Sequence, residues 1–360
     1  MKAWILERVG QPLVLRDVDT PDVRPGAVLV RMEAVPLLSY TRAYLNGELP
    51  YQYPEGPFTP GTNGVGTIVA TGAGVHHFRV GQRVAVNPYL TSTENVDSPA
   101  EVLIGLTGIS DDSAPLLQDF PHGTLREITE FPASALVSLE GLEHIPSVRL
   151  ATLSKFAVPM GGLRRGRLVA GETVVVNGAT GAFGSAAVLA ALAMGASSVI
   201  ALGRRIESLE SLARLGGERV RPVVLSGDAV RDAAAIRAVA PSGIDLAFDM
   251  VGQATDPAST LAALRSLKRR GRMVLMGSMS VPLPLPYGEM LRNGWEVMGH
   301  FMYAPSDYRA LVAMVRAGQL SLETIGVKTF PFDDLEAAID AAGAQAGLDA
   351  TVVSFAHAPA

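Results

Sequence analysis

The spacing of apolar residues changes twice along this chain, and each change marks a change of architecture. Up to about residue 150, short β-branched runs such as 27–35, 64–72 and 80–86 are bounded by Gly and Pro, which predicts a β-rich segment. Residues 90–121 carry Asp, Ser, Pro and Thr without a clear period and read as a lobe or long loop, a kind of segment that is often functional. From about 151 to 298, apolar runs near 173–177, 198–202, 221–225, 244–249, 272–276 and 295–298 alternate with stretches of helical period, for example 228–240 and 257–269. Six strands joined by crossover helices predict a doubly wound parallel sheet. The tail from about 299 has helical periods at 306–317 and 333–342 and a last apolar run at 350–355, and is expected to rejoin the first segment. The resulting expectation is an α/β protein with two domains. Residues 1–150 and 299–360 form a β-rich substrate domain, 151–298 form a Rossmann domain, and substrate lies in the cleft between them.

The first apolar run of the middle segment ends at Asn177, turns through Gly178, Thr180 and Gly181, and passes through Ala182, Phe183 and Gly184 into an alanine-rich helix. This strand–turn–helix context is what a dinucleotide fingerprint requires, although the glycine spacing is GxxGxxG rather than GxGxxG. The free N–H groups of the helix start then face the pyrophosphate. About twenty residues on, an acidic side chain would hold the ribose 2′-hydroxyl of NAD. Here that position is Gly203, followed by Arg204 and Arg205. A carboxylate would repel a 2′-phosphate, whereas a glycine makes room and a guanidinium pairs with it, so the expected cofactor is NADP(H). At the ends of two later strands, Met250, Val251 and Gly252, and Gly277, Ser278 and Met279, are the further candidate cofactor contacts.

Composition narrows the chemistry. The chain has 360 residues, 48% of them hydrophobic, enough for two domains with substantial cores. A net charge of −5 gives no reason to expect nucleic acid or an anionic membrane as partner. There is no cysteine, which excludes disulfides, thiolate zinc sites and a cysteine nucleophile. The histidines (His76, His77, His122, His144, His300 and His357) show no HxxxH or HExxH spacing, so no metal site is read from them. Residues 1–8 lack the apolar core of a signal peptide, and no uncharged stretch is long enough to argue for a membrane span. A soluble cytoplasmic protein is expected.

The order of these features resembles the medium-chain dehydrogenase/reductase superfamily. A β-rich, GroES-like first domain carries Pro60-Gly61-Thr62-Asn63-Gly64-Val65-Gly66, then Gly81-Gln-Arg-Val84 and Gly123-Thr-Leu-Arg-Glu127. Gly171-Glu-Thr-Val-Val-Val176 opens the cofactor fold, followed by the runs 267–277 and 317–320. The resemblance covers essentially the whole chain. In zinc alcohol dehydrogenases of that superfamily a cysteine and a Gly-His-Glu motif hold the metal; the corresponding positions here read Leu38 and Gly61-Thr62-Asn63. The remaining cysteine position reads Ser154, and the four-cysteine structural lobe expected between about 88 and 115 is absent. Leucine cannot ligate, and threonine, asparagine and serine are poor zinc ligands. The resemblance therefore implies a zinc-independent member, similar to quinone oxidoreductases and enone or enal reductases, which deliver hydride to an activated double bond.

By the same resemblance, Ser39, Tyr40 and Tyr44 fall where the family builds its substrate cleft. Asn63 faces the cleft, Tyr89 lines it, and His122 sits close by. Tyr40 or Tyr44 would donate a hydrogen bond or proton to the enolate, and Asn63 would orient the carbonyl. A tyrosine in such a wall is more often a packing aromatic with a satisfied hydroxyl. Two alternatives stay open: a tailoring reductase acting on a larger C=C, C=O or C=N substrate, and a non-catalytic NADPH-binding protein. A short-chain dehydrogenase is set aside, because the nucleotide motif begins only at 178 and no tyrosine has a lysine four residues later. A homodimer is implied by resemblance.

Overall fold

A parallel strand covered on both faces must be apolar almost throughout, and the middle of this chain obeys that rule. Val174, Val175 and Val176, and Val199, Ile200, Ala201 and Leu202 on the neighbouring strand, are fully buried. The computed structural model describes residues 1–356, so His357 lies outside the described residues. The chain divides into two compact units. One comprises Met1–Ser154, Ile325–Gln345 and the described residues from Asp349; the other comprises Lys155–Thr324 and Ala346–Leu348.

The second unit is built on a six-stranded sheet. Its order is Val220–Val224, Ser198–Gly203, Thr173–Asn177, Ile244–Asp249, Leu267–Leu275 and Glu296–Gly299, and every pairing is parallel. The first strand in sequence lies in the middle, so the order reverses between Thr173–Asn177 and Ile244–Asp249, where this fold binds ligands at the carboxyl ends of its strands. In that register Asn177 stands opposite Asp249. Val175, Ile200, Ile244, Ala247, Met273 and Trp295 share one core cluster in this sheet. The crossover helix Ala182–Ala193 is buried from Gly184 to Leu192, which explains why its sequence is alanine-rich with no polar face.

In the first unit, Ala27–Pro36 is the strand on which the sheet is assembled. It pairs antiparallel with Gly64–Thr71, Ile128–Pro132 and Ala350–Ser354. Gly64–Thr71 continues to Arg83–Val86 and Leu136–Ser138, while Ala350–Ser354 pairs in parallel with Val327–Pro331. That last strand is absent from the apolar pattern because it is an edge strand reading Val-Lys-Thr-Phe-Pro, largely open to solvent. The aperiodic segment 90–121 is not bare loop. Tyr89–Thr91, Glu101–Leu103 and Thr107–Gly108 form a small antiparallel sheet, and Ala114–Asp119 is a helix.

One expectation is corrected. The tail returns to the first unit at Ile325, not at 299. The helix Pro305–Arg316 buries Tyr308, Leu311, Val312 and Val315 within the second unit. It is anchored there by Arg164 on Asp307 at 2.9 Å. Gly161 admits the neighbouring backbone, since a Cβ there would fall 2.6 Å from the Met302 carbonyl oxygen. Among the described residues no helix is long and apolar enough to cross a membrane.

Three glycines let separate segments of the first unit touch backbone to backbone. Gly61 donates to the Gly105 carbonyl at 3.1 Å, and Thr124 donates to the Gly61 carbonyl at 3.1 Å. Gly105 is in the left-handed region at φ +71°, and a Cβ on Gly123 would collide with the Gly61 carbonyl. Gly123→Ala must push this crossing apart, so it is expected to destabilise the first unit by about 1–3 kcal/mol, the usual cost of overpacking. A lowered urea midpoint with an unchanged slope would show it.

Candidate functional site

In the second unit, three turns at the carboxyl edge of the sheet are laced together. Gly178 has φ +73°, which only glycine adopts freely, and a Cβ there would lie 2.9 Å from the Met250 carbonyl oxygen. A Cβ on Gly184 would collide with the Gly178 carbonyl, so helix and strand pack as closely as a dinucleotide turn demands. Gly181 caps the helix without a side-chain hydrogen bond. Among the described residues the N–H groups of Ala182, Phe183 and Gly184 find no acceptor. Those free donors at the positive end of a twelve-residue helix suit a pyrophosphate.

Beneath the turn lies a buried polar network. The Asn177 amide donates to Asp249 Oδ1 at 2.9 Å and to Ser259 Oγ at 3.1 Å, and Thr260 Oγ1 donates to Asp249 Oδ2 at 2.9 Å. Asp249 is 3% exposed, and burial raises its pKa above the usual carboxylate range, although the hydrogen bonds from Thr260, Val251 and Asn177 act against that rise. The Asn177 carbonyl accepts from Met250 at 3.0 Å, and the Val251 carbonyl accepts from Ser278 at 2.9 Å. The network therefore fixes Met250, Val251, Gly252, Gly277 and Ser278 relative to the glycine turn. Asn177 was expected to touch the cofactor; it is 1% exposed and its side-chain amide is bonded inside the network. Asp249, Ser259 and Thr260 escaped the sequence reading because one carboxylate in an apolar strand has no periodic signature.

Gly203 is buried between Thr180 and Leu209, each 3.1 Å from where its Cβ would stand. Arg204 and Arg205 follow it, exposed, and among the described residues neither has an acidic partner. The C-terminal segment Ala346–Leu348 also belongs to this unit, with Gly347 beside Thr180 and Ser185. A hollow of about 630 Å³ among Glu172, Thr173, Asp245 and Lys268 lies at the opposite, amino-terminal edge of the sheet, away from these turns.

In the first unit, Leu37, Leu38, Thr41, Tyr44, Pro60, Thr62, Leu106 and Leu125 enclose an apolar pit of about 20 Å³, room for little more than one water. The structure thus brings Leu38, Thr62 and Tyr44 together. Tyr44 is 2% exposed and donates to the Leu106 carbonyl at 2.7 Å. It stacks on Tyr53, whose hydroxyl donates to the Tyr44 carbonyl. Its hydroxyl is committed to packing, which corrects the expectation of a free proton donor. Tyr40 is half-buried and edge-on to Tyr51, and burial, with Tyr51 adding to it, raises its pKa above the usual tyrosine value.

The other expected residues are scattered. Ser39 is exposed. The Asn63 amide donates to the Val86 carbonyl at 3.3 Å. Tyr89 lies in the small sheet, its pKa pushed up to about 12 by burial and then by Glu101. His122 lines a separate cavity, and its Nδ1 accepts from the Thr59 N–H at 3.2 Å. Burial, with Arg126 beside it, pushes its pKa down to about 4.

With this geometry in view, the comparisons with known proteins decide the family. Residues 24–141 match the alcohol dehydrogenase GroES-like domain and residues 182–317 match the zinc-binding dehydrogenase family. The chain belongs to the medium-chain dehydrogenase/reductase superfamily. An alcohol dehydrogenase of Geobacillus stearothermophilus is 27% identical over 346 residues, 94% of this chain and 95% of its own length. A sorbitol dehydrogenase of Bacillus subtilis is 26% identical over 308 residues, 84% and 83% of the two chains. A Sinorhizobium meliloti protein solved bound to NADP shares the fold with a TM-score of 0.76 at 22% identity, covering 98% of each chain. The two sequence relatives are named alcohol and sorbitol dehydrogenases, not quinone or enone reductases, so the narrower branch expected from the sequence rests on this chain's own residues.

Those residues do not fit a dehydrogenase zinc. Leu38 presents hydrocarbon, Thr62 Oγ1 is turned to Asn63 Oδ1 at 3.4 Å, and Ser154 Oγ donates to the Ala151 carbonyl at 3.1 Å. None offers the thiolate or imidazole that zinc prefers. Among the described residues no three of His, Cys, Asp and Glu are grouped to hold a metal.

Two outcomes are expected. Tyr44→Phe leaves the buried Leu106 carbonyl without its donor and is expected to cost about 1–3 kcal/mol in denaturant unfolding. For Asp249, the raised native pKa penalises the charged form. Relative to Asp249→Asn, the wild type is expected to lose stability as pH rises from the unfolded carboxylate pKa of roughly 4 through the raised native value, and then to level off. Melting curves of both proteins across that window would check the sign.

Proposed function

We propose that the protein is an NADPH-dependent oxidoreductase that works without zinc and delivers hydride to an activated double bond, as in a quinone, enone or enal. The observation that carries this reading is the chemistry of four side chains, of which Leu38 and Thr62 line the pit. Where its superfamily would place metal ligands, this chain has Leu38, Thr62, Asn63 and Ser154, none of them suited to zinc. Without a Lewis acid an unactivated alcohol is a poor substrate, because nothing lowers its pKa, whereas a conjugated carbonyl delocalises the charge on its own. The bound cofactor would supply the hydride equivalent. Ala182, Phe183 and Gly184 would hold its pyrophosphate through their free N–H groups, and Arg204 or Arg205 would pair with the 2′-phosphate. Tyr40, half-buried and protonated at neutral pH like any tyrosine, would donate a hydrogen bond to the developing enolate oxygen. The names of the relatives favour a second reading, oxidation of an alcohol or polyol. A tailoring role on a larger substrate would call for the same hydride chemistry.

The strand Glu296–Gly299 is an edge of its sheet, and Tyr287, Leu291 and Phe301 near it are 82%, 72% and 64% exposed. We infer a homodimer that covers this edge. A monomeric mass in light scattering would sink that inference.

Fluorescence titration in low salt is expected to show tighter binding of NADPH than NADH. Arg204→Ala should weaken NADPH roughly 10- to 100-fold, the worth of a charge-assisted hydrogen bond, and leave NADH unchanged. Reduction of enones or quinones that survives exhaustive chelation would support the zinc-free reading. Zinc-dependent alcohol oxidation would overturn it in favour of the relatives' chemistry, and binding of NADPH with no turnover of any carbonyl would leave a cofactor-binding protein.

A further inference from the structure

Arg126 is 6% exposed, yet no acidic side chain pairs with it among the described residues. Its Nε is buried without a hydrogen-bond partner. A lone guanidinium out of water is costly, and native structures retain such a group where an ion or ligand completes it. The cost is visible in its pKa, pushed down to about 10 by burial, which still leaves it charged at neutral pH.

The charge faces a cavity. Pro21, Arg24, Phe120, His122, Arg126 and Glu130 are among the residues enclosing about 150 Å³ within the first unit, a space that shares no lining residue with the apolar pit. Of the acidic groups at this cavity, Glu130 is occupied by Arg24, accepting from its backbone N–H and its Nε at 2.7 Å each. Arg24 also donates to the Asp119 carbonyl at 2.8 Å and lies over the Phe120 ring at 4.5 Å, so it is locked in place, while the Asp119 side chain is exposed. That leaves the Arg126 charge uncompensated. His122 is neutral, and because its Nδ1 accepts from Thr59, its proton resides on Nε2, which makes it a second donor at the same cavity.

We propose that this cavity is a binding site for a small carboxylate, with Arg126 pairing with the carboxylate oxygens and His122 Nε2 donating a further hydrogen bond. A planar fork matches a planar carboxylate, and the volume suits an acid between acetate and succinate in size rather than a nucleotide. The cavity is built from first-unit residues alone, so the proposal goes beyond the oxidoreductase reading and does not depend on it.

The test uses the full-length protein at constant ionic strength. Acetate, propionate and succinate are titrated by calorimetry and by thermal shift, with propionamide and chloride as the neutral and simple-anion controls. The expected result is one saturable site per chain for a carboxylate, a raised melting temperature, and no response to either control. Arg126→Gln should weaken that binding at least tenfold. It should also melt no lower than the unliganded wild type, because it removes an uncompensated charge. If the variant does not fold, the His122 ring resonance of the wild type supplies the second readout, shifting with the same dissociation constant as calorimetry. No saturable carboxylate binding, equal binding by Arg126→Gln, an unmoved His122 resonance, or chloride binding as tightly as the carboxylates would overturn the proposal.

Discussion

A carboxyl group taken almost wholly out of water holds the second unit's ligand edge in shape. Asp249 ends one parallel strand and Asn177 ends its neighbour, and the hydrogen bond between them ties together the two points where the strand order reverses. Everything that would meet a dinucleotide hangs from that pair: the glycine turn before it, the Met250–Gly252 turn after it, and the Gly277–Ser278 turn bonded to Val251. A network of this kind is rigid because each member is satisfied, and losing one leaves the others stranded in a medium of low dielectric. It gives the free N–H groups of the helix start a fixed target, which is how a fold provides an anion site without spending a cationic side chain on it.

The first unit solves a different problem with different means. Its segments must cross at close range, and glycines at 61, 105 and 123 allow it by removing side chains where backbones meet. The apolar pit beside that crossing is small and closed by Tyr44, which is stacked and hydrogen-bonded. Tyrosines 40, 44, 51 and 53 form one aromatic group there, so a single tyrosine cannot be changed without disturbing the packing of the others. The poor fit of these positions to zinc is therefore more than a missing cysteine. Leucine and a fixed threonine occupy the space, and the neighbouring polar groups are bonded elsewhere.

Membership of a family whose relatives are alcohol and sorbitol dehydrogenases does not by itself set the reaction. The same turns and strands can serve carbonyls, alcohols or conjugated double bonds, and the difference lies in which groups stabilise charge on the reacting oxygen. In the reading proposed above that group is the half-buried Tyr40 hydroxyl.

The sequence by itself determined the parallel sheet, its crossover helices and the glycine turn, because these rest on local periodicity and on the freedom of glycine at φ +73°. It also determined that thiolate zinc is impossible, since that needs only a count of cysteines. It did not reveal Val327–Pro331, an exposed edge strand with no alternation to detect, or the extension of the second unit to Thr324, which depends on what Pro305–Arg316 packs against. Only the tertiary structure decided which polar groups are spent and which are free. Asn177 and Tyr44 looked like functional donors along the chain and proved to be bonded inward, while Arg126, given no role in the sequence reading, proved to be a buried charge with no acidic partner among the described residues. Hydrogen-bond satisfaction and burial are properties of residues far apart in sequence, and no local pattern of residues encodes them.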